Sequence, residues 1–320
     1  MSANTETPLR RNRRAVRSAR GVMITLCATI VAIAVSITTL SAAWLAGYRL
    51  PLASGTTYLR VEKFVRAGAA DRTGGPNAPF FALLVGNDSR PGVGGARGDA
   101  LHLVGINPKL HKATMLDIPR DTCWNGDKIN AANAQGGPSA QALAVGGLIG
   151  VPVSYAVDVD FAGFQALVNG VGGLNMQVPT AMHDHYSGAY FAAGPQHMTG
   201  EAALAFSRDR HDFPQSDIIR TANQGLLIIA AVRQLEHQMN SASGQFRLIT
   251  LLYSQLYEHA QLHNLGIGDL YHLGRVLSQI PSTQIRSVTI PTIGGQCLSL
   301  AGSAAGLFAD FRDDAVLESN

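Results

Sequence analysis

"LHLVGINPKLHKATMLDIPRD", residues 101–121, decides the fold. Two short apolar runs, 101–108 and 112–121, flank the turn-forming "NPKLHK", a connection that suits a tight antiparallel hairpin. A further apolar run, "FFALLVGND" (80–88), precedes the pair and also reads as a strand. Downstream the period changes. "PSAQALAVGGLIG" (138–150) and "DFAGFQALVNGVG" (160–172) carry helical spacing, with strand-like "VSYAVDVD" (153–160) between them and "LNMQVP" (174–179) after. "SDIIRTANQGLLIIAAVRQLEHQ" (216–238) predicts the longest helix, with Ser216 or Asp217 placed to cap it. Its interior "LLIIAAV" is apolar all round, which predicts a segment deeply covered or lining an apolar cavity. Helical stretches near 245–260 and 268–279, a strand "IRSVTIP" (285–291) and a terminal helix complete the pattern. Strands alternating with helices predict a three-layer α/β/α domain with a central mixed sheet.

Before this domain the composition is different. Residues 1–20 hold six arginines and one acid, and residues 21–48 carry no charge. At about 1.5 Å per residue the uncharged run is long enough to cross a hydrocarbon core of about 30 Å. The expectation is a basic cytoplasmic tail (1–20), one transmembrane helix (21–48), a membrane-proximal segment and linker (49–78), and an extracellular domain (79–320) in a single-pass membrane protein. A cleaved signal peptide is the competing reading. Trp44 and Tyr48 suit the membrane interface. Within 49–78, "TYLRVEKFVRAG" reads as a short helix and "ADRTGGPNAP" as linker.

Setting residues 1–20 aside leaves 19 basic and 21 acidic residues, so the chain's net charge of +3 belongs to the tail. A nucleic-acid partner for the main domain loses its electrostatic basis. Cys27 falls inside the apolar run, whereas Cys123 and Cys297 face an oxidising exterior, which invites a disulfide between them.

Charged residues recur where strands end and helices begin, the places where open α/β sheets hold ligands. Asp88 and Arg90 follow the first strand, Arg97 and Asp99 head the second, and Arg120 and Asp121 end the third. "FSRDRH" adds Arg208 and Arg210, and Asp217, Arg220 or Thr221, and Gln224 share one helix face. Guanidinium forks suit carboxylate or phosphate. Paired aspartates beside them suit Mg²⁺ shared with phosphate oxygens. The alternative for Arg208 and Arg210 is a solvated helix end complementing the dipole. "GVGGARGD" lacks the lysine of a P-loop, and His183 and His185 flank Asp184 in what reads as an exposed loop, with zinc a minor alternative. Lys128 and Asn130 of "KINAANAQGG" serve either substrate contact or a turn.

"FALLVGNDSR", "RGDALHLVGINPKLHKATMLDIPRDT", "KINAANAQGGP", "VPVSYAVDVDFAGFQALVNGVGGLNMQVP", "GEAALAFSRDRH" and "SDIIRTANQ" together resemble the ordered motifs of the LytR-CpsA-Psr family over about residues 79–240. The resemblance implies a phosphotransferase moving a glycopolymer phosphate from a polyprenyl-pyrophosphate carrier to peptidoglycan. It implies Asp88 and Asp99 as Mg²⁺ ligands and Arg97, Arg120, Arg208, Arg210, Arg220 and Gln224 as pyrophosphate contacts. Asp121 is the candidate for orienting or deprotonating the acceptor hydroxyl. Where the family has a second helix arginine before the glutamine, this chain has Asn223. A pyrophosphatase or a non-catalytic carrier-binding protein is the alternative function.

Overall fold

The expected hairpin is the middle of the sheet. The computed structural model describes residues 59–64, 77–89, 96–212, 216–241 and 260–318. In it β3 (Gly98–Asn107) pairs antiparallel with β4 (Lys112–Ile118), and the Asn107 carboxamide oxygen accepts from the amides of Lys109 and Leu110 to fix the turn. On one side β3 pairs antiparallel with β2 (Phe80–Asn87), and β2 lies parallel to β7 (Val153–Val159). Outside β7 come β1 (Leu59–Lys63), antiparallel to it, and β12 (Ala260–His263), while β13 (Ile285–Thr289) lies parallel to β4 at the other edge. The result is one seven-stranded mixed sheet in the order β12-β1-β7-β2-β3-β4-β13.

"TYLRVEKFVRAG" is therefore a correction. Residues 59–63 form strand β1 rather than a helix, because both their edges are hydrogen-bonded to neighbouring strands. Tertiary pairing overrides a local helical pattern of this length. The expectations for residues 1–48, for Arg90 and the glycines after it, and for a helix near 245–260 lie outside the described residues. Among the described residues no helix is long and apolar enough to cross a membrane.

Helices cover both faces. The buried row Phe81, Leu83, Val85, Leu101 and Leu103 packs with α1 (Ala131–Ile149) and α6 (Ala304–Asp314) through Val145, Ile149, Phe308 and Phe311. The opposite face carries α2 (Phe161–Gly170), α3 (Gly200–Arg208) and α4 (Ser216–Met239); a second core there joins Phe206, Leu227 and Ala230 to Met176, Met182 and Met198. Those methionines come from two small antiparallel ribbons, β8 (Leu174–Val178) with β11 (Gly194–Met198) and β9 (Met182–Asp184) with β10 (Ala189–Phe191). α5 (Ile267–Leu277) sets Val276 beside Ile106 and Ala113 in a third cluster. Two further ribbons, β5 (Cys123–Trp124) with β6 (Asp127–Lys128) and β14 (Thr292–Ile293) with β15 (Ser299–Leu300), are tied by the Cys123–Cys297 disulfide, whose Cα atoms are 5.2 Å apart. The apolar stretch of α4 is less covered than its composition predicts: Leu226 is 39% exposed, while Leu227 is buried.

Candidate functional site

Strand direction gathers the charges. β2, β4 and β7 run one way and β3 the other, so Asp88, Arg120 and Asp160 follow strand ends at the same edge where Asp99 begins β3. This is the edge at which open α/β sheets hold ligands. Arg120 Nη1 donates to Asp99 Oδ1 at 2.6 Å. Asp88 Oδ1 accepts from the Arg97 backbone amide at 3.0 Å. Thr199 caps α3 and Asp160 caps α2 through their side-chain oxygens, fixing the starts of both helices over the sheet.

α3 ends at Arg208, and Asp209 and Arg210 follow, with Asp209 out of helical geometry at φ −59° and ψ 128°. Asp209 turns inward with no exposure, while Arg208 and Arg210 both line the cavity. Arg208 stands 5.1 Å above the Phe161 ring. The Arg210 amide and His211 Nδ1 both bind the buried Asp184 carboxylate, so ribbon β9–β10 holds this turn. Burial opposes the Asp184 charge, but hydrogen bonds from His211, Tyr186, Ser187 and Arg210 outweigh it and hold its pKa well below the usual carboxylate range. Burial, with Asp212 nearby, instead pushes Asp209 up to about 6.

Three guanidinium groups converge on Asp217, with Arg220 Nη2 2.7 Å, Arg120 Nε 3.7 Å and Arg210 Nη2 3.8 Å from Oδ1. Neither Asp217 oxygen takes a hydrogen bond, and Arg220 Nε and Nη2 make none. These contacts are thus electrostatic, and Arg120 Nε and Arg220 Nε and Nη2 keep their hydrogen-bonding capacity. Burial pulls Arg220 down to about 10 despite Asp217, with the charges of Arg120 and Arg210 adding to the fall. Burial also opposes the Arg120 charge, but Asp99, Asp217 and Asp121 more than offset it and its pKa lies above the ordinary value. Like charges held this closely call for an anion.

Asp88, Asp99, Arg120, Arg208, Arg210, Arg220 and Gln224 line one cavity of about 460 Å³. Away from the charges its floor is the sheet face of Leu84, Ala100 and Val157, and Phe161, Phe164, Leu227 and Ile228 wall it from the helices. The approach of α4 is close: a side chain at Gly225 would meet Asp117 Oδ2 within 2.7 Å. Two predicted site residues are not brought in. The Arg97 side chain is exposed and away from the cavity lining, and Asp121 instead pairs with Lys128 Nζ at 3.0 Å. Asn223 is buried, also outside the lining, with its Nδ2 unpartnered. Asp160, Asp184, His102 and Tyr186 line the cavity without a sequence signal that picks them out, since each depends on strand register or a turn. Asp88 and Asp99 both line this cavity, Asp99 with one oxygen bonded to Arg120, and carboxylates of this kind suit Mg²⁺, which takes one or two of them and completes its shell from phosphate and water. Among the described residues no group of three or more His, Cys, Asp or Glu could hold a metal by itself.

Residues 58–304 match the LytR_cpsA_psr family. The polyisoprenyl-teichoic acid–peptidoglycan teichoic acid transferase TagU of Bacillus mycoides is 35% identical over 162 residues, 49% of this chain and 52% of that protein. The transferase of the same description named TagV, from Bacillus subtilis, is 33% identical over 226 residues, 66% of this chain and 56% of that protein. The chain spans about half the length of the curated relatives it matches. The crystal structure of B. subtilis TagV is similar at a TM-score of 0.62 and 26% identity, covering 76% of this chain and 99% of that one.

Proposed function

Because the chain belongs to the LytR-CpsA-Psr family, we propose that it transfers a glycopolymer phosphate from a polyprenyl-pyrophosphate carrier to peptidoglycan, outside the cell and anchored in the membrane. The convergence of Arg120, Arg210 and Arg220 on Asp217, beside an apolar-floored cavity, carries this reading. A diphosphate supplies the missing anion and a prenyl tail suits the apolar floor. The names of the relatives, which describe teichoic acid transfer to peptidoglycan, support the same class of reaction.

Phosphoryl transfer asks mainly for positioning and charge neutralisation. In this reading Arg120, Arg208, Arg210, Arg220 and Gln224 hold the diphosphate. Gln224 Nε2 is itself held by the Ser207 carbonyl at 3.0 Å, which fixes its carboxamide. Asp88 and Asp99 would hold Mg²⁺, which when bound would neutralise phosphate charge. The acceptor hydroxyl oxygen forms a bond to phosphorus, the bond to the departing polyprenyl phosphate breaks, and the hydroxyl proton passes to solvent. Asp121, paired with Lys128, orders the loop beside Arg120 in place of acting as the base.

The test is a reconstitution with full-length protein in detergent, Mg²⁺, a polyprenyl-pyrophosphate-linked glycan and peptidoglycan. Polyprenyl phosphate and a wall adduct are expected. Free sugar phosphate without adduct would establish hydrolysis instead, and no turnover with any divalent metal would overturn the reading. Arg120→Ala is expected to lower turnover about 10²–10³-fold while the protein stays folded, the usual cost of losing one preorganised oxyanion donor.

A further inference from the structure

A second cavity, of about 250 Å³, opens where β2 and β7 end, beside a kink in α1. It lies on the other face of the sheet: Asn87 and Asp158 face it, whereas their neighbours Gly86, Val157 and Val159 line the first cavity. The kink is local. Gly136 and Gly137 leave helical geometry just before Pro138, and Gly137 takes φ 65°, a conformation that favours glycine. This places "NAQGGP" as the rim of a cavity, a use distinct from a plain turn.

The lining is polar and short of partners. Asn133 is 5% exposed; its Nδ2 donates to the Ala96 carbonyl at 3.0 Å, and its Oδ1 has no partner. Arg60 Nε is buried without a hydrogen-bond partner, and the Arg60 charge acts on Asp158. Asp158 accepts from Asn87 Nδ2 at 2.7 Å, and burial raises its pKa although that bond and the nearby Arg60 charge oppose the rise. Buried polar atoms without partners cost free energy unless a ligand or water meets them.

The charge balance selects the occupant. One arginine faces two carboxylates, Asp158 and Asp160, so the cavity does not favour an anion such as phosphate. Its walls offer little to an apolar tail. A neutral polyhydroxylated ring, whose every hydroxyl both donates and accepts, satisfies Arg60, Asn133 and Asp158 together. The position fits too. Asp160 is a wall of both cavities, and Asn87 and Ser89 of this one flank Asp88 of the first.

We propose that this second cavity seats a sugar ring of the acceptor glycan and presents its hydroxyl across the Asp88 and Asp160 wall to the phosphates in the first cavity. The assignment rests on the transfer reading above.

Saturation-transfer NMR of the full-length protein with the N-acetylglucosamine–N-acetylmuramic acid disaccharide tests it. Ala134, exposed at the cavity mouth, can be enlarged without burying anything. Ala134→Trp is expected to weaken disaccharide binding and raise the acceptor KM about tenfold or more, with affinity for polyprenyl pyrophosphate held within about twofold. Arg60→Met is the second variant, with the same split and a smaller loss. Absence of disaccharide binding by the wild type, or binding by Ala134→Trp at wild-type affinity, would overturn the assignment. If wall adducts form and both variants keep the wild-type acceptor KM, this inference fails and the transfer reading stands. If the disaccharide binds here and no adduct ever forms, the transfer reading fails and the sugar site stands.

Discussion

Arg220→Met should make the ligand-free protein more stable while weakening its function. Arg220 is 4% exposed, and its pKa falls well below the ordinary arginine value, to about 10, through burial and through the charges of Arg120 and Arg210, the attraction of Asp217 already included. A fall of that size corresponds to roughly 3 kcal/mol spent on keeping the group charged at neutral pH. Methionine fills similar space without charge, and Asp217 keeps Arg120 and Arg210. Removing the charge is therefore expected to stabilise the protein by up to about 3 kcal/mol, or roughly 6–12 °C in melting temperature for a domain of this size. The pH dependence has a definite sign. A basic group with a depressed folded pKa costs stability at every pH below about 10, and the cost is relieved as pH rises from there towards the ordinary arginine value. The variant's advantage should thus be constant between about pH 6 and 9. The assay is thermal denaturation of full-length wild type and variant in detergent, with and without inorganic pyrophosphate. Pyrophosphate at 100 times its Kd should stabilise the wild type by about 2.7 kcal/mol and the variant far less. A variant that melts below the wild type without ligand, or that gains as much from pyrophosphate, would show that the arginine is not held under electrostatic strain for an anion.

Asp209 has its folded pKa raised to about 6, so it destabilises the fold as pH rises through that value. Asp209→Asn should melt higher than wild type above pH 6 and no higher near pH 4, read from melting curves across that range. The Cys123–Cys297 bridge closes a loop with a sequence separation of 174, so reduction or paired serine substitution should cost about 3–5 kcal/mol in chemical denaturation. Gly225→Ala forces a methyl against Asp117 and Ser287, which are hydrogen-bonded to each other beneath α4. It should cost about 1–3 kcal/mol by overpacking and, by displacing Arg220 and Gln224, lower turnover; unchanged melting and turnover would count against the close approach.

The hairpin of β3 and β4, the strands β2, β7 and β13 and the long helix α4 were readable from the chain because alternation, turn residues and helical spacing are local properties. Strand β1 was not, since its five residues become a strand only by pairing on both edges. The residue types of the site were readable for a similar reason. Arginines and aspartates recur at the ends of apolar runs, and their order along the chain resembles the motifs of the family. Which of them meet was a different matter. Arg210 and Arg220 reach Asp217 because Asp209 turns inward and Asp184 holds the turn, whereas Arg97 offers Asp88 only its backbone. His102, Asp160 and the polar cavity under the α1 kink depend on which face each strand residue takes, and register fixes that. Local pattern thus dictated the elements and the charge character of the site, because propensity and charge type reside in single residues. Only the packed sheet and helices dictated the constellation, because distances between residues a hundred or more positions apart are set by strand pairing and burial.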